Sequence, residues 1–341
     1  MGKVKVAIIG MGKMGKIRLR ELDAHKGFEV VACSDFIVTA NPQIPNVFFS
    51  TSWEEILELD IDAVVVCTYN DAIPLVTCKA LKKGLHVFAE KPPGKNLQDV
   101  KLIQAAEREA PGKILRFGFN HRFHYAIMEA KTIIESGKYG KILWARGTYG
   151  KAGGENFIDN WRSDPGKAGG GILLDQGVHM LDLLNFFIGD FTEVKSYVDN
   201  CYWKDIPMED NAFALLKNNR NQYCFLHSSA TQWRHLFKLD IYLEDGYISV
   251  NGILSSTRSY GEESIAFAKK QFETESTAFG KPREEIIYFD RDDSWKLEIE
   301  DFYNSIEGKG KSIAGNSDDA HTVMNLVEKI YESSQEPGLK I

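Results

Sequence analysis

Three short segments of the chain carry residue types that could do chemistry. The first, Gly10-Met11-Gly12-Lys13-Met14-Gly15, spells G-x-G-x-x-G directly after a β-branched run. In such a loop the first glycine allows a tight turn, the second lets a pyrophosphate approach the backbone, and the third lets the next helix pack against the strand. The opening turn of that helix, from Lys13 and Met14, offers unpaired N–H groups and a positive dipole end to phosphates. Asp35 stands 20 residues beyond Gly15, at the end of the following strand-like run. A carboxylate there accepts hydrogen bonds from the adenosine ribose hydroxyls and repels a 2′-phosphate, so NAD is expected in preference to NADP.

The second segment, Glu90-Lys91-Pro92-Pro93, follows another strand-like run. That puts Lys91 on the ligand side of a parallel sheet, restricted by the proline after it. A lysine held there can contact a substrate hydroxyl or the nicotinamide ribose; a solvated lysine in a turn reads the same way. The third is Gly169-Gly170-Gly171-Ile172-Leu173-Leu174-Asp175-Gln176-Gly177-Val178-His179-Met180-Leu181-Asp182. Asp175 and His179 are i and i+4 and share a helix face, with Asp182 near it. Histidine is the side chain best suited to proton transfer near neutral pH. On spacing alone the segment reads as a proton-transfer site, as a capped helix with a structural histidine, or as an Asp/His metal site.

The elements that must hold these residues alternate in the first third of the chain. Strand patterns at 4–9, 28–33, 63–67, 86–89 and 114–118 are interleaved with helical patterns at 14–25, 53–59, 75–83 and 97–109. Such alternation predicts a doubly wound parallel α/β sheet whose ligand lies at the carboxyl ends of the strands. After about residue 120 the pattern changes. A helix at 126–136 leads into polar and aromatic strand patterns at 142–149, 193–202, 212–216, 222–229, 237–244 and 247–250. These predict an α+β domain with a largely antiparallel open sheet. One helix, 174–187, interrupts the strands, and two more are expected at 295–306 and 318–333; residues 255–290 read as loop with at most an edge strand. The expected domains are 1–120 and 121–341.

Taken together, the three motifs resemble, in order and spacing, those of the Gfo/Idh/MocA oxidoreductases, the glucose–fructose oxidoreductase and inositol dehydrogenase group. Trp161-Arg162-Ser163-Asp164-Pro165 is similar to that family's W-R-x-D segment, and Asp293-Ser294-Trp295 to its late region. The resemblance implies an N-terminal Rossmann domain and a C-terminal domain with the active site on its open sheet, the other face forming homodimer or homotetramer contacts. It implies no catalytic metal. By matched position Lys91, Asp175 and His179 are the catalytic set. Gly10, Gly12, Lys13, Met14, Gly15, Asp35, Thr68, Asn70, Glu90 and Lys91 would meet the cofactor. Asn120, Arg122, Trp161 and Arg162 would line the substrate side with Asp175 and His179. Two segments depart from the family pattern: Tyr69 and Ile73 replace the proline and histidine of T-P-N-x-x-H, and Tyr125 replaces the proline of N-x-R-x-x-P.

The expected reaction is NAD-dependent oxidation of a secondary alcohol on a sugar, polyol or nucleotide sugar, or its reverse. His179 serves as proton acceptor and Lys91 as hydrogen-bond donor to the developing alkoxide. The alternatives are a reductase of another small carbonyl or diol and a non-catalytic cofactor-binding regulator. Composition is that of an ordinary folded globular protein. Over 341 residues, 41 basic against 48 acidic groups give a net charge of −7, without the clustered cations that nucleic acid needs. No window resembles a membrane span or a signal peptide, so a cytoplasmic protein is expected. The five cysteines form no C-x-x-C pair, which argues against a disulfide framework or structural zinc site.

Overall fold

The computed structural model describes residues 2–335 apart from 39, 40, 43, 154–159, 256, 275, 276, 279 and 281. The chain forms two compact units: Met1–Asn120 with Gly166–Gly169 and Asp293–Met324, and His121–Pro165 with Gly170–Asp292 and Asn325–Ile341.

In the first unit, β1 (Val4–Ile9), β2 (Phe28–Ser34), β3 (Phe48–Ser50), β4 (Ala63–Val66), β5 (His86–Ala89) and β6 (Leu115–Phe117) form a parallel sheet in the order β3-β2-β1-β4-β5-β6. Helices α1 (Lys13–Ala24), α2 (Trp53–Leu57), α3 (Ile73–Lys82) and α4 (Leu97–Arg108) alternate with the strands. The four residues of β4 are all buried, as a strand covered on both faces requires. Strand β3 lacks a sequence signal because it is three residues long with only Ser50 buried. All six carboxyl ends lie on one edge, which brings Gly10, Asp35, Thr68, Lys91 and Asn120 to the same side of the sheet.

The sequence reading put everything after residue 120 in the second domain. The structure returns α8 (Ser294–Ile306) to the first unit. Its Ile299 and Phe302 join the core cluster of Val6, Ile8, Phe28 and Phe88, and Phe302 packs on the Phe28 and Phe88 rings. An amphipathic helix shows that it must bury a face, but not against which sheet, so the return was invisible in the sequence.

Helix α8 also completes a buried ion cluster. Arg18, fully buried, donates from Nε to Glu90 at 2.7 Å and from Nη2 to Glu298 at 2.6 Å, with its guanidinium 4.4 Å from the Phe88 ring. One guanidinium thus serves two carboxyl groups, and burial pushes the Glu298 carboxyl up from 4.5 to about 8. A folded-state value above the unfolded one means that this contribution to stability is whole below pH 4.5 and lost as the pH rises through 8. The thermal midpoint should therefore fall as the pH rises from about 5 to about 8 and level off above that, and Glu298→Gln should flatten the fall. Scanning calorimetry across this range checks it; a variant with the parental slope contradicts it.

The second unit is built on an eight-stranded sheet in the order β16-β13-β12-β11-β7-β10-β9-β8. Its strands are β7 (Ile142–Ala152), β8 (Glu193–Asp199), β9 (Asn211–Lys217), β10 (Tyr223–Ser229), β11 (Thr231–Leu243), β12 (Gly246–Asn251), β13 (Glu263–Lys269) and β16 (Glu285–Phe289). Only β7 and β10 run parallel. A small ribbon, β14 (Phe272–Thr274) with β15 (Thr277–Ala278), lies outside it. The segment 255–290, expected as loop with at most an edge strand, holds the edge strand β16, the inner strand β13 and the ribbon. The burial of β13 does not alternate, and β16 is an edge strand exposed along nearly its whole length, so neither shows the period of a half-buried strand.

Helix α5 (Tyr125–Glu135) and the pair formed by a π-turn (Leu173–Gly177) and α7 (Val178–Ile188) belong to this unit, and α6 is a single turn (Pro165–Ala168). The last helix, α9 (Ser317–Gln335), is held on β8 by a hydrogen bond from Ser196 Oγ to the Ile330 carbonyl. The helical run Pro165–Ile188 is long and apolar enough to cross a membrane by length and composition, as buried core helices also are, and 67% of its most apolar window is buried in the fold.

Candidate active site

The candidate residues fall into two groups, one in each unit. In the first unit, β1 delivers the chain to Gly10, whose φ is +95° and where an added Cβ would sit 2.5 Å from the Cys67 carbonyl oxygen. At Gly15 an added Cβ would sit 2.0 Å from the Gly10 carbonyl oxygen, so the helix can pack this close only without a side chain. Gly12, by contrast, faces open space. Helix α1 begins at Lys13 with no side-chain cap and no acidic residue in its first turn, which leaves its N–H groups for an anion.

Asp35 closes β2. Its Oδ2 accepts the Met11 N–H at 2.7 Å and its Oδ1 the Ile37 N–H at 2.9 Å. These bonds fix the carboxylate beside the glycine loop, and each oxygen keeps a further lone pair for a ribose hydroxyl. A cleft of about 340 Å³ is lined by Gly10, Gly12, Asp35, Thr68 and Tyr69 among others. The open Gly12, the uncapped helix end and Asp35 at the cleft fit a dinucleotide.

Two residues assigned to the cofactor are engaged elsewhere. The Asn70 side chain donates to the Ala168 carbonyl at 2.8 Å and is 6% exposed. The Glu90 carboxylate is turned inward onto Arg18. Glu90 thus anchors the turn at the end of β5 from inside, and Lys91, which follows it, is only partly buried. Asn120 is likewise interior and donates to Ser294 Oγ at 3.3 Å.

In the second unit the helix expected over 174–187 starts one residue earlier as the π-turn, so Asp175 lies in the π-turn and His179 in α7. The glycines before it accommodate protein neighbours. An added Cβ at Gly171 would sit 2.1 Å from the Glu209 carbonyl oxygen. The Glu209 side chain then caps the turn, accepting the Gly171 and Leu173 N–H groups and the Tyr331 hydroxyl. From β10, Ser228 Oγ donates to the Ile172 carbonyl.

Asp175 carries two cations, Lys151 Nζ at 2.6 Å and Arg162 Nε at 3.0 Å; Arg162 also lies over the Trp161 ring. His179 is 5% exposed. The placement of Arg122 differs from the sequence assignment. It forms a two-point ion pair with Asp182, Nε to Oδ2 at 2.8 Å and Nη2 to Oδ1 at 2.5 Å, in the interior. Asp182 is therefore a structural counter-ion of Arg122. Among the described residues no group of three or more His, Cys, Asp or Glu is arranged to hold a metal ion.

Sequence reasoning missed Lys151, Glu209, His121 and Tyr149. Lys151 and Tyr149 are alternate residues of β7, and Glu209 lies 38 residues beyond Gly171. No local pattern marks them, because their roles depend on pairing across strands and loops.

Comparison with known proteins agrees with this architecture. Residues 4–119 match the family model described as oxidoreductase family, NAD-binding Rossmann fold. Residues 127–249 match the model described as GFO/IDH/MocA C-terminal domain. The levoglucosan dehydrogenase of Pseudarthrobacter phenanthrenivorans is 29% identical over 211 residues, 58% of this chain and 54% of that protein. The D-glucoside 3-dehydrogenase of Escherichia coli is 29% identical over 201 residues, 57% of this chain and 56% of that protein. The chain thus spans little more than half the length of the relatives it matches. Over 98% of this chain and 97% of the other, the fold is shared with the WlbA dehydrogenase from Bordetella pertussis, solved with NADH and UDP-GlcNAcA, at a TM-score of 0.81 and 20% identity.

Proposed function

The chain belongs to the Gfo/Idh/MocA oxidoreductase family, and on that footing we propose that it is an NAD-dependent dehydrogenase or reductase acting on a secondary alcohol or ketone of a sugar, polyol or nucleotide sugar. The observation that supports this most is the aspartate–histidine pair at the π-turn, with Asp175 clamped by two cations and His179 buried. When bound, NAD supplies the hydride acceptor. The α1 N-terminus and Gly12 would receive its diphosphate and Asp35 its ribose.

His179 takes the substrate hydroxyl proton as general base and returns it in the reverse direction. Asp175 orients the substrate, and Lys151 and Arg162 hold its carboxylate in one place. Lys91 donates a hydrogen bond to the oxygen as its negative charge develops. Thermal unfolding with NAD, NADH, NADP and NADPH in turn tests the cofactor. Each bound form raises stability by RT ln(1 + [L]/Kd), about 2.7 kcal/mol at a hundredfold excess. The shift should come with NAD and NADH, and Asp35→Ala should abolish that preference; a larger shift with NADPH overturns the Asp35 assignment. NADH absorbance in a screen of sugars, polyols, glycosides and nucleotide sugars then identifies the substrate.

We also assign the open face of the large sheet to a second copy of the chain. Tyr197, Phe213, Leu215, Tyr223, Phe225 and Trp144 are exposed on neighbouring strands of that face, Tyr197 by 75% and Leu215 by 51%. Contiguous apolar exposure of this kind marks a protein interface. Light scattering should give a dimer or tetramer, and Phe225→Glu should shift it toward monomer. A parental chain that stays monomeric at micromolar concentration refutes the assignment.

A further inference from the structure

The imidazole of His121 stacks on that of His179, ring centroids 3.8 Å apart and planes 20° from parallel. His121 comes from a 3₁₀ turn (Asn120–Phe123) and is 5% exposed. Its plane is set from the other side by Nε2, which lies 3.1 Å from the Tyr149 hydroxyl. The Tyr149 ring in turn packs edge-on against that of Tyr260, centroids 5.3 Å apart, and the Tyr260 hydroxyl accepts from Gln176 Nε2 at 2.7 Å. Gln176 lies in the π-turn between Asp175 and His179, so this chain of contacts closes on the segment it serves.

We propose that His121 is a positioning residue for His179, and that the stacked pair acts as one acid–base unit holding a single proton. The inference rests on His179 being the proton acceptor of the proposed reaction. Two imidazolium rings in face contact repel each other, so protonation of either ring disfavours the second. The two carboxylates on the same helical segment have cation partners of their own. Asp182 is neutralised by Arg122, and Asp175 by Lys151 and Arg162. His124, 5.5 Å from His121 ring to ring, is paired with Glu263. The two phenols stay protonated, Tyr149 well above its ordinary range and Tyr260 pushed up to about 12, both chiefly by burial.

In the singly protonated pair the proton can reside on His121, which leaves His179 neutral. Neutral His179 therefore persists to lower pH than it would alone, and the titration steps belong to the pair. No hydrogen bond between the rings is needed, because the coupling is electrostatic through the stack.

The test is an NMR titration of histidine ring signals in the intact protein, which needs no substrate. In the parent, the signals of His121 and His179 should move together in two steps separated by more than about one pH unit. His121→Phe keeps the stack and removes the second proton site. His121→Gln keeps a hydrogen bond to Tyr149 and also removes it. In either variant His179 should titrate in one step, and the acid limb of kcat for alcohol oxidation should move to higher pH. Independent single steps in the parent, or an unmoved His179 curve in the folded variant, overturn the proposal. If no substrate is turned over while the two-step coupling is present, the proposed function fails and the coupling stands. If turnover is found without coupling, the reverse holds.

Discussion

His179→Ala is expected to lower kcat for the true substrate by about 10²–10⁴-fold, the ordinary contribution of a positioned general base. The NAD-induced thermal shift should be unchanged, because the glycine loop and Asp35 belong to the other structural unit. The size of the effect follows from the chemistry. Without a base, the alcohol proton must leave to water as hydride departs. His179 is 5% exposed, and once its imidazole is gone no ring remains at that position to take the proton. Lys91→Ala serves as the contrast. A loss confined to KM would mark Lys91 as a binding group, and a parallel fall in kcat and kcat/KM would mark it as acting in the transition state. Full turnover by His179→Ala would remove the histidine from the mechanism and favour a structural role for the α7 segment.

Arg122→Ala is expected to destabilise the second unit by about 3–5 kcal/mol, because removing one partner of a buried pair leaves the other as an unpaired buried charge. Asp182 is fully buried and both of its oxygens face the guanidinium. For a unit of this size the thermal midpoint should drop on the order of 10 °C. Replacing both members with apolar residues of similar volume, Arg122→Met with Asp182→Leu, should recover most of the loss, since the desolvation penalty disappears with the charges. Differential scanning calorimetry of the two variants reads the result. If Arg122→Ala keeps its midpoint and only raises KM, the arginine is a substrate ligand, as its motif position suggested, and the ion pair is incidental.

These two experiments bear on residues that the sequence treats alike and the structure separates. Arg122 and His179 both sit in motifs resembling those of one family, and both were expected beside the substrate. Motif position says which element a residue belongs to; it does not say which way the side chain turns. Arg122 turns into the interior because Asp182 lies one helical step beyond His179 and needs a counter-ion. Glu90 turns inward for the same kind of reason, toward Arg18 of α1. Asn70 is taken by a backbone carbonyl in a segment 98 residues away. In each case a buried polar group had to be satisfied, and the nearest partner came from a distant part of the chain.

What the sequence determined by itself was local. The period of two in strands and of 3.6 in helices marked most elements. The glycines at 10 and 15 stand where backbone crowding excludes a Cβ, and Asp35 follows at the end of the next strand. Those features need only neighbouring residues to be read. Tertiary structure alone decided three things: the return of α8 to the first sheet, the inner strand β13 within 255–290, and the gathering of Lys151, His121 and Tyr149 around the Asp175–His179 pair. Each depends on which distant surfaces are buried together. Burial energy is set by shape and by polar satisfaction across the whole fold, and neither is a property of any window of sequence.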